Sequence, residues 1–450
     1  MSMAISRKGT GTFKRGVHPP EGKIYAEDVP IEVFPTPASL LIPLHQHTGA
    51  PCEATVKPRQ EVTMGEKIGE AQAFVSAPVH SPVNGTTQMP SVATLPNGRH
   101  VKAIPIKSGE ENLQGDALME EIYGGDWPTD VSDQAPGDIT DAVREAGIVG
   151  LGGAAFPTAV KFSVPKGKKI DTILVNGCEC EPYLTADYRV MVEAPKPIVT
   201  GALLAARAVG AENVVIAIED NKPAAIEEMK QAAAGTDITI AVMKTKYPMG
   251  GEKQTILASL GREVPTGGLP LDVGVVVVNV GTCTAVARAV LRGKPLTHRV
   301  ITISGGGIAN PKNLLVPVGT SLQELIDYCG GLEESAARVV AGGPMMGFAV
   351  GDLEKTPVTK GTSGLTVLTH QEVKRAEETT CVRCGRCVDV CPVGLVPTKI
   401  AHAARYRDWD LTKKYHMMAC IECGCCAYAC PASIPLVQLI RVGKAQAPRD

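Results

Sequence analysis

Two cysteine-rich runs near the C-terminus are the residues best suited to chemistry in this sequence. Residues 381–392 and 420–431 both follow the pattern C-x2-C-x2-C-x3-C-P. The two-residue spacings let three thiolates on one curled loop face the corners of a cuboidal iron–sulfur cluster, whereas the fourth cysteine begins the next helix and faces the other way. The pattern therefore predicts two [4Fe-4S] clusters, each completed by the fourth cysteine of the other run.

This crossing of ligands divides eight cysteines into two sets and leaves Cys425 outside both. The first cluster is assigned Cys381, Cys384, Cys387 and Cys430, and the second Cys420, Cys423, Cys426 and Cys391. Paired zinc sites are the alternative, because C-x2-C pairs also form tetrahedral ribbons, but zinc does not need the x3-C-P step. Nine of the 14 cysteines lie between Cys381 and Cys430 in a long chain without a visible secretory signal, which favours metal binding over disulfides.

A glycine-rich segment around residues 149–161 is the second candidate site. It begins with Gly150, Gly152 and Gly153, and Lys161 lies one helical turn beyond the glycine-rich entry. Glycines let backbone N–H groups approach a phosphate or a flat ring closely, and the lysine is placed to neutralise an anion. Since such segments also occur where a helix only packs closely, the residues alone leave a ligand site and a packing role open.

The elements that must position this segment alternate strands with helices. The apolar runs are DTILVNG, NVVIAIED, DITIAVM and GVVVVNV, and helical patterns such as KPAAIEEMKQAA lie between them. Continuous apolar strands separated by amphipathic helices are typical of a parallel sheet covered on both faces. We therefore expect an α/β domain in the middle of the chain.

The flanking regions have different patterns. The first hundred residues are rich in Pro, Gly and short β-branched runs, and resemble the barrel-sandwich hybrid of lipoyl and biotin carriers. Asn84-Gly85 predicts a tight hairpin at the place where a carrier would have its modified lysine, so a carrier role is not expected. Residues 110–136 have the composition of a linker, and from Leu296 the pattern is typical of a small β-grasp-like module.

Composition narrows the classes of partner. Lys+Arg 45 against Asp+Glu 47 gives a net charge of -2, so no overall basic field favours nucleic acid. Residues 1–20 lack the apolar core of a secretory signal, and no apolar run reaches the length of a membrane span. We expect a chain without a transmembrane segment that binds no nucleic acid.

Four short motifs carry a resemblance to a known family. They are Gly152-Gly-x-x-Phe156-Pro-Thr-x-x-Lys161, Asn176-Gly-Cys-Glu179-Cys-Glu181-Pro, Gly250-Gly251-Glu252-Lys253 and Asn279-Val-Gly-Thr. In order and spacing they resemble the FMN-site segments of the NADH-binding subunit of respiratory complex I. The segment Thr12–Pro19, the barrel-sandwich pattern, the β-grasp module and the paired cysteine runs extend the resemblance over essentially the whole chain, to the RnfC family of Rnf electron-transport complexes. The complex I subunit has a single cluster after its flavin domain, so the paired runs favour RnfC.

The resemblance implies a multidomain α/β protein with four parts. They are a barrel-sandwich hybrid domain (1–115), a Rossmann-like FMN- and NADH-binding domain of the complex I 51-kDa type (116–295), an SLBB β-grasp-like domain (296–366) and an α-helical ferredoxin-like domain with two [4Fe-4S] clusters (367–450).

The same resemblance implies the residues of a non-covalent FMN site. The residues that surround the flavin are then Gly150, Gly152, Gly153, Lys161, Asn176, Glu179, Glu181, Gly251, Glu252 and Asn279. The catalytic residues are Phe156, which stacks near the nicotinamide, Glu179 and Glu252.

As a function, the resemblance implies an NADH-linked oxidoreductase subunit of an ion-translocating Rnf-type NAD:ferredoxin oxidoreductase. A hydride passes from NADH to FMN, and single electrons then pass through the two clusters to membrane-associated subunits, including an iron–sulfur subunit. The electrons can also flow in the opposite direction. The chain is then peripheral, on the cytoplasmic face of the membrane. The alternatives are a soluble cobalamin-reductase-like flavin and iron–sulfur protein, and a flavin-less electron-transfer adaptor.

Overall fold

An extended N-terminal segment, residues 9–38 (the strap), runs over several later parts of the chain. The computed structural model describes residues 9–373 and 377–448, so the first eight residues of the predicted N-terminal domain lie outside the described residues. The strap contains a short 3-10 turn at Lys23–Tyr25 and the strand β1 (Ile31–Val33). β1 is not paired with its neighbours in sequence, but runs parallel to a strand at Lys312–Pro317.

Residues 39–108 form two small antiparallel sheets that enclose an apolar core. The strands are β2 (Ser39–Pro43), β3 (Glu53–Ala54), β4 (Glu61–Val62), β5 (Lys67–Glu70), β6 (Val79–His80), β7 (Gly85–Thr87), β8 (Ser91–Thr94) and β9 (His100–Ser108). One sheet has the order β2-β9-β7-β4, with β8 also on β9, and the other has the order β3-β5-β6. The predicted hairpin at Asn84-Gly85 is wrong, because β6 and β7 belong to different sheets and Gly85 starts a strand that pairs with Val62.

The predicted linker over residues 110–136 is also wrong in its first half. Residues Gly115–Tyr123 form helix α1. Leu118 and Ile122, one helical turn apart, are buried together with Trp127 in the main core. This segment is therefore a packed connection between domains.

The central domain has the predicted alternation of strands and helices. Its elements are α2 (Pro136–Glu145), α3 (Thr158–Phe162), β10 (Thr172–Asn176), α4 (Ala186–Glu193), α5 (Pro195–Val209), β11 (Asn213–Glu219), α6 (Pro223–Ala232), β12 (Thr239–Met243), α7 (Glu252–Leu260), β13 (Val275–Asn279) and α8 (Val280–Arg292). All four strands are parallel, in the order β12-β11-β10-β13. The strand order thus reverses between β10 and β13, and open α/β sheets bind ligands at the carboxyl ends of such strand pairs.

Helix α8 has well-defined ends that fix it to this sheet. The Asn279 side chain caps its start by accepting hydrogen bonds from the N–H groups of Gly281 and Thr282. Gly293 ends it in the left-handed region, at φ 62. The thirteen-residue helix packs mainly against α5 in the core of the domain.

Residues 298–369 form a mixed sheet to which the strap contributes. The elements are β14 (His298–Ser304), β15 (Lys312–Pro317), α9 (Leu322–Tyr328), β16 (Ala336–Ala341), β17 (Phe348–Ala349) and β18 (Gly364–Thr369). The sheet has the order β1-β15-β14-β18-β16-β17. Helix α9 covers it, with Leu322, Leu325 and Ile326 in the core.

The C-terminal part is helical, as predicted. Its helices are α10 (Arg386–Asp389), α11 (Pro397–Arg405), α12 (Trp409–Lys414), α13 (Cys425–Tyr428) and α14 (Leu436–Gln446). Helices α11 and α14 pack together, and their apolar side chains share one core with cysteines of both runs. Across residues 9–373 and 377–448, no helix has the length and apolar character needed to cross a membrane.

Candidate functional site

Two asparagines mark the point where the strand order of the central sheet reverses. Asn176 ends β10, Asn279 ends β13, and the two residues are direct neighbours in the parallel register. The Asn279 Nδ2 atom donates to Asp187 Oδ2 at 2.6 Å, and the Asn176 Nδ2 atom donates to the Gly250 carbonyl at 2.8 Å. Two of the predicted site residues therefore lie side by side at the edge where this fold binds ligands.

The glycine-rich segment lies over Asn279 and has no room for side chains there. A Cβ atom at Gly152 would lie 2.7 Å from Asn279 Nδ2, whereas a Cβ at Gly153 would meet nothing within 4 Å. The Gly150 N–H donates to the Phe156 carbonyl at 2.8 Å, which closes the loop and leaves the Phe156 side chain partly exposed. The backbone thus forms a cradle with an open side at Gly153, a shape suited to a flat ring or a phosphate.

Lys161 and Glu252 bring two further motifs to this crevice. The Lys161 ammonium lies 3.0 Å from Glu252 Oε1 and 3.0 Å from the carbonyl oxygen of Val277 in β13. Gly251 precedes Glu252, the first residue of α7, whose N-terminal N–H groups favour an anion. The crevice therefore combines a cation, a helix start and two side-chain amides, a donor set that fits the phosphate and ring of a flavin mononucleotide.

The carboxylates of Glu179 and Glu181 make hydrogen bonds outside the glycine-rich loops. The Glu179 carboxylate accepts from the N–H groups of Asp187 and Tyr188 at the start of α4, at 2.7 and 3.2 Å. Glu181 accepts from the Met345 N–H at 3.2 Å, and its Oε1 atom lies 3.2 Å from the Tyr247 hydroxyl oxygen. Burial raises the pKa of each glutamate to about 7.

Lys23 of the strap is a site residue that the sequence did not reveal. Its ammonium donates to the carbonyl oxygens of Glu179 at 2.8 Å and Glu181 at 2.9 Å, and also to that of Leu184. Burial lowers the pKa of Lys23, and the neighbouring Glu179 carboxylate opposes that shift. No motif surrounds Lys23, and its partners lie about 160 residues away in the chain, so only the folded structure identifies it.

Tyr247 connects the central domain to the second cysteine run. Its hydroxyl donates to the Cys423 carbonyl at 2.8 Å, and its ring is buried with Val17 of the strap, Cys423 and Cys425. Cys180 packs at the edge of the same cluster of side chains, and a Cβ atom at Gly250 would lie 3.0 Å from its Sγ. A continuous packed path thus leads from the Gly250 loop to the cysteine loop.

The two cysteine runs have the same backbone conformation. The residue before the second cysteine is left-handed in both, Arg383 at φ 56 and Glu422 at φ 57. The glycine after the second cysteine is left-handed as well, Gly385 at φ 80 and Gly424 at φ 81. These repeated turns curl each loop so that its first three thiols face one region, as the spacing predicts.

A small hollow of about 20 Å³ lies inside the second loop. Its lining includes Cys420, Cys423 and Cys426 of the second run, Cys391 of the first and the spare Cys425, and most of the rest is apolar. In the other loop, the thiol of Cys387 is close enough to those of Cys384 and of Cys430 from the second run to interact with both electrostatically. Thiol-lined, otherwise apolar space is what a [4Fe-4S] cluster requires, so these residues fit the predicted group.

Comparison with protein families shows four domains in one chain. Residues 11–111 match the RnfC barrel sandwich hybrid domain, 143–288 the Nuo51 FMN-binding domain, 300–349 the SLBB domain and 380–434 the 4Fe-4S dicluster domain. The predicted fold class is confirmed, and so are the two kinds of cofactor, FMN and a pair of [4Fe-4S] clusters.

Similar proteins cover nearly the whole chain. The C subunit of the proton-translocating ferredoxin:NAD(+) oxidoreductase complex of Clostridium ljungdahlii is 43% identical, over 97% of this chain and 94% of its own length. Its counterpart in the Na(+)-translocating complex of Acetobacterium woodii is 43% identical, over 97% of both chains. The counterpart in the ion-translocating oxidoreductase complex of Rhodobacter capsulatus is 41% identical, over 97% of this chain and 83% of its own length.

Among solved structures, an NAD+-reducing [NiFe]-hydrogenase in the H2-reduced state is similar, with a TM-score of 0.44 and 23% identity over 62% of this chain and 50% of that one. From its full-length relatives and its four matching domains, the chain belongs to the RnfC family, the C subunits of ion-translocating oxidoreductase complexes.

Proposed function

We propose that the chain exchanges electrons between NAD(H) and the other subunits of an Rnf-type complex, from a peripheral position on the cytoplasmic face of the membrane. The packed path from the Gly250 loop through Cys180 and Tyr247 to Cys423 supports this proposal most directly, because it puts a flavin crevice next to a cluster loop. The relatives' names, ferredoxin:NAD(+) oxidoreductase complexes, suggest the substrates.

The proposed flavin residues have distinct tasks. Gly150, Gly152 and Gly153 admit the ligand at the backbone, while Asn176 and Asn279 hold the two loops on the strand ends. Lys161 binds the anionic part, and Glu252 keeps the lysine in place through their 3.0 Å ion pair. Glu179 and Glu181 support the crevice from behind through α4 and Tyr247. Bound FMN supplies the conversion between a hydride and single electrons.

The structure favours an order for the two clusters. The Cys423 loop contacts Tyr247 and is buried, whereas Cys381 and Cys384 of the first run are exposed. We propose that the second cluster (Cys420, Cys423, Cys426 and Cys391) faces the flavin. The first cluster (Cys381, Cys384, Cys387 and Cys430) then faces a partner, which we take to be an iron–sulfur subunit.

We propose that the chain has four domains, at residues 1–115, 116–295, 296–366 and 367–450. The strap is the exception to these ranges. The strap belongs by its contacts to the later domains, since β1 extends the sheet of residues 298–369.

Cofactor content and reduction by NADH test the function. The purified chain, reconstituted anaerobically, should contain about eight irons and one FMN. NADH should bleach the flavin absorbance and then produce cluster EPR signals. A chain that holds flavin but is not bleached by NADH would contradict the NAD(H) assignment, and acid extracts without flavin fluorescence would point to the flavin-less adaptor.

The spare cysteine gives a separate prediction. Cys425 is fully buried and packs with Tyr247 and Val17. Cys425→Ala should keep iron content unchanged and cost about 1 kcal/mol of unfolding free energy, because it removes a buried sulfur and its hydrogen bond to Cys423 but no ligand. Cys426→Ala, the matched control one residue away, should lose or convert one cluster. Equal iron loss in both variants would show that Cys425 is a ligand.

A further inference from the structure

A hollow of about 400 Å³ lies where the barrel-sandwich domain, the connecting segment and the end of the central domain meet Thr297, at the start of the next domain. Its walls come from the barrel-sandwich sheets (Met64, Asn84), from the connection (Asn112, Glu121) and from the end of α8 (Arg288, with Lys294 just beyond). Volumes of roughly 300 to 1,000 Å³ are typical of small-molecule sites. Arg288 lies nine residues after Asn279, about 14 Å along the helix, so this hollow is separate from the flavin crevice.

Arg288 is a buried charged residue in the wall of this hollow. Its side chain lines the cavity, the residue is only 4% exposed, and within the described residues nothing accepts a hydrogen bond from its Nε. Burial lowers its pKa to about 10, which leaves the guanidinium charged at neutral pH. A buried, charged donor normally has an acceptor, because an unpaired one is costly.

Three other charged side chains line the hollow, Glu111, Glu121 and Lys294, and Glu111 is exposed. Lys294 forms an ion pair with Glu121 at 2.8 Å. Arg292, one turn beyond Arg288, stacks on the Trp127 ring at 3.8 Å from its centroid and donates to the Gly124 carbonyl. Arg288 is therefore the cation of this region that is left for a ligand.

The part of the wall that Asn84 and Asn112 form is held by hydrogen bonds. The Asn84 N–H donates to Asn112 Oδ1 at 2.7 Å, the Asn112 amide donates back to the Asn84 carbonyl at 3.1 Å, and Asn84 Oδ1 accepts from the Met64 N–H at 2.8 Å. Small-molecule sites are usually pre-formed and fix their ligand with a small number of well-placed polar groups, a role open to these amides and to Arg288.

We propose that this hollow binds a small ligand through an oxyanion, a carboxylate or a phosphate, with Arg288 as the anchoring residue. A guanidinium pairs with both groups through parallel N–H donors, which makes Arg288 suited to a bidentate contact. The ligand would touch three domains at once, and its binding is independent of the proposed electron transfer.

Equilibrium dialysis of the FMN- and cluster-loaded chain tests the site, with inorganic phosphate and succinate as separate probes. At least one probe should bind, and Arg288→Met should weaken that binding about tenfold or more, since a hydrogen bond to a charged group is lost. Arg288→Lys should keep part of the affinity. Arg292→Met, which changes a cation outside the hollow, should keep all of it.

The two probes also distinguish the source of the oxyanion. Binding of phosphate alone assigns a phosphorylated ligand, and binding of succinate alone assigns a carboxylate. No binding of either probe, or binding that Arg288→Met leaves unchanged, would overturn the proposal and leave water as the occupant. Flavin and iron contents of each variant, measured on the same samples, show that the fold is intact.

Discussion

Lys161→Glu should reduce the affinity of the chain for FMN by about a hundredfold or more while both clusters remain. In the native chain the Lys161 ammonium lies 3.0 Å from Glu252 Oε1. The substitution removes this cation from the crevice and puts a second carboxylate beside Glu252. A hydrogen bond between charged groups is worth about 1.5 to 3 kcal/mol, and like-charge repulsion adds to the loss. Flavin fluorescence in acid extracts and cluster absorbance of the same sample measure the two effects separately.

Two further variants sharpen this test. Lys161→Met removes the charge without adding repulsion and should weaken FMN binding less than Lys161→Glu does. Lys166→Glu makes the same charge change five residues later, at an exposed position, and should retain flavin. Simultaneous loss of flavin and clusters in Lys161→Glu would show that the two sites are not separate, and full retention of flavin would remove Lys161 from the site.

The second large effect concerns the crossing of ligands between the runs. Cys391→Ala should damage the cluster of the second run, although Cys391 belongs to the first run by sequence. The reason is geometric, because Cys391 lines the same hollow as Cys420, Cys423 and Cys426. One set of EPR signals should be lost or converted to a three-iron form, and the other should remain.

Matched variants identify which cluster has changed. Cys423→Ala removes a ligand of the second loop and Cys384→Ala one of the first. With crossed ligands, the spectrum of Cys391→Ala matches that of Cys423→Ala. If it matches Cys384→Ala instead, each run holds its own cluster and our assignment of Cys391 and Cys430 must be exchanged.

Local patterns predicted the parts of this fold that depend on neighbours in sequence. The cysteine spacing fixes how one loop curls, and the left-handed residues at Arg383 and Glu422 follow from that short-range geometry. The apolar runs ending at Asn176 and Asn279 likewise predicted buried parallel strands. The curl of a cysteine loop is local, and the continuous apolar character of each strand is readable from its own residues although Asn176 and Asn279 are far apart in sequence, so spacing and periodicity were sufficient.

The errors come from contacts between distant parts of the chain. Asn84-Gly85 has hairpin residues, but β7 pairs with Val62 and with residues near Ser108 instead of β6. Residues 110–136 were predicted to be a linker because they are mostly polar. The helical spacing of Leu118 and Ile122 would have indicated a helix with a buried face. Lys23 and Tyr247 had no signal beyond their types, since their roles arise only when the strap, the central domain and the cysteine loops meet.

The contacts of the strap have a consequence for how the protein is made. The Gly16 N–H donates to the Val390 carbonyl at 3.1 Å, and β1 needs β15 as its partner strand. At synthesis rates of about 5 to 20 residues per second, roughly 20 to 75 s pass on the ribosome between the appearance of Gly16 and that of Val390. The nascent N-terminus therefore gains its partners one after another, first residues 179–184, then β15, and it can close over the first cysteine run only when that run has emerged.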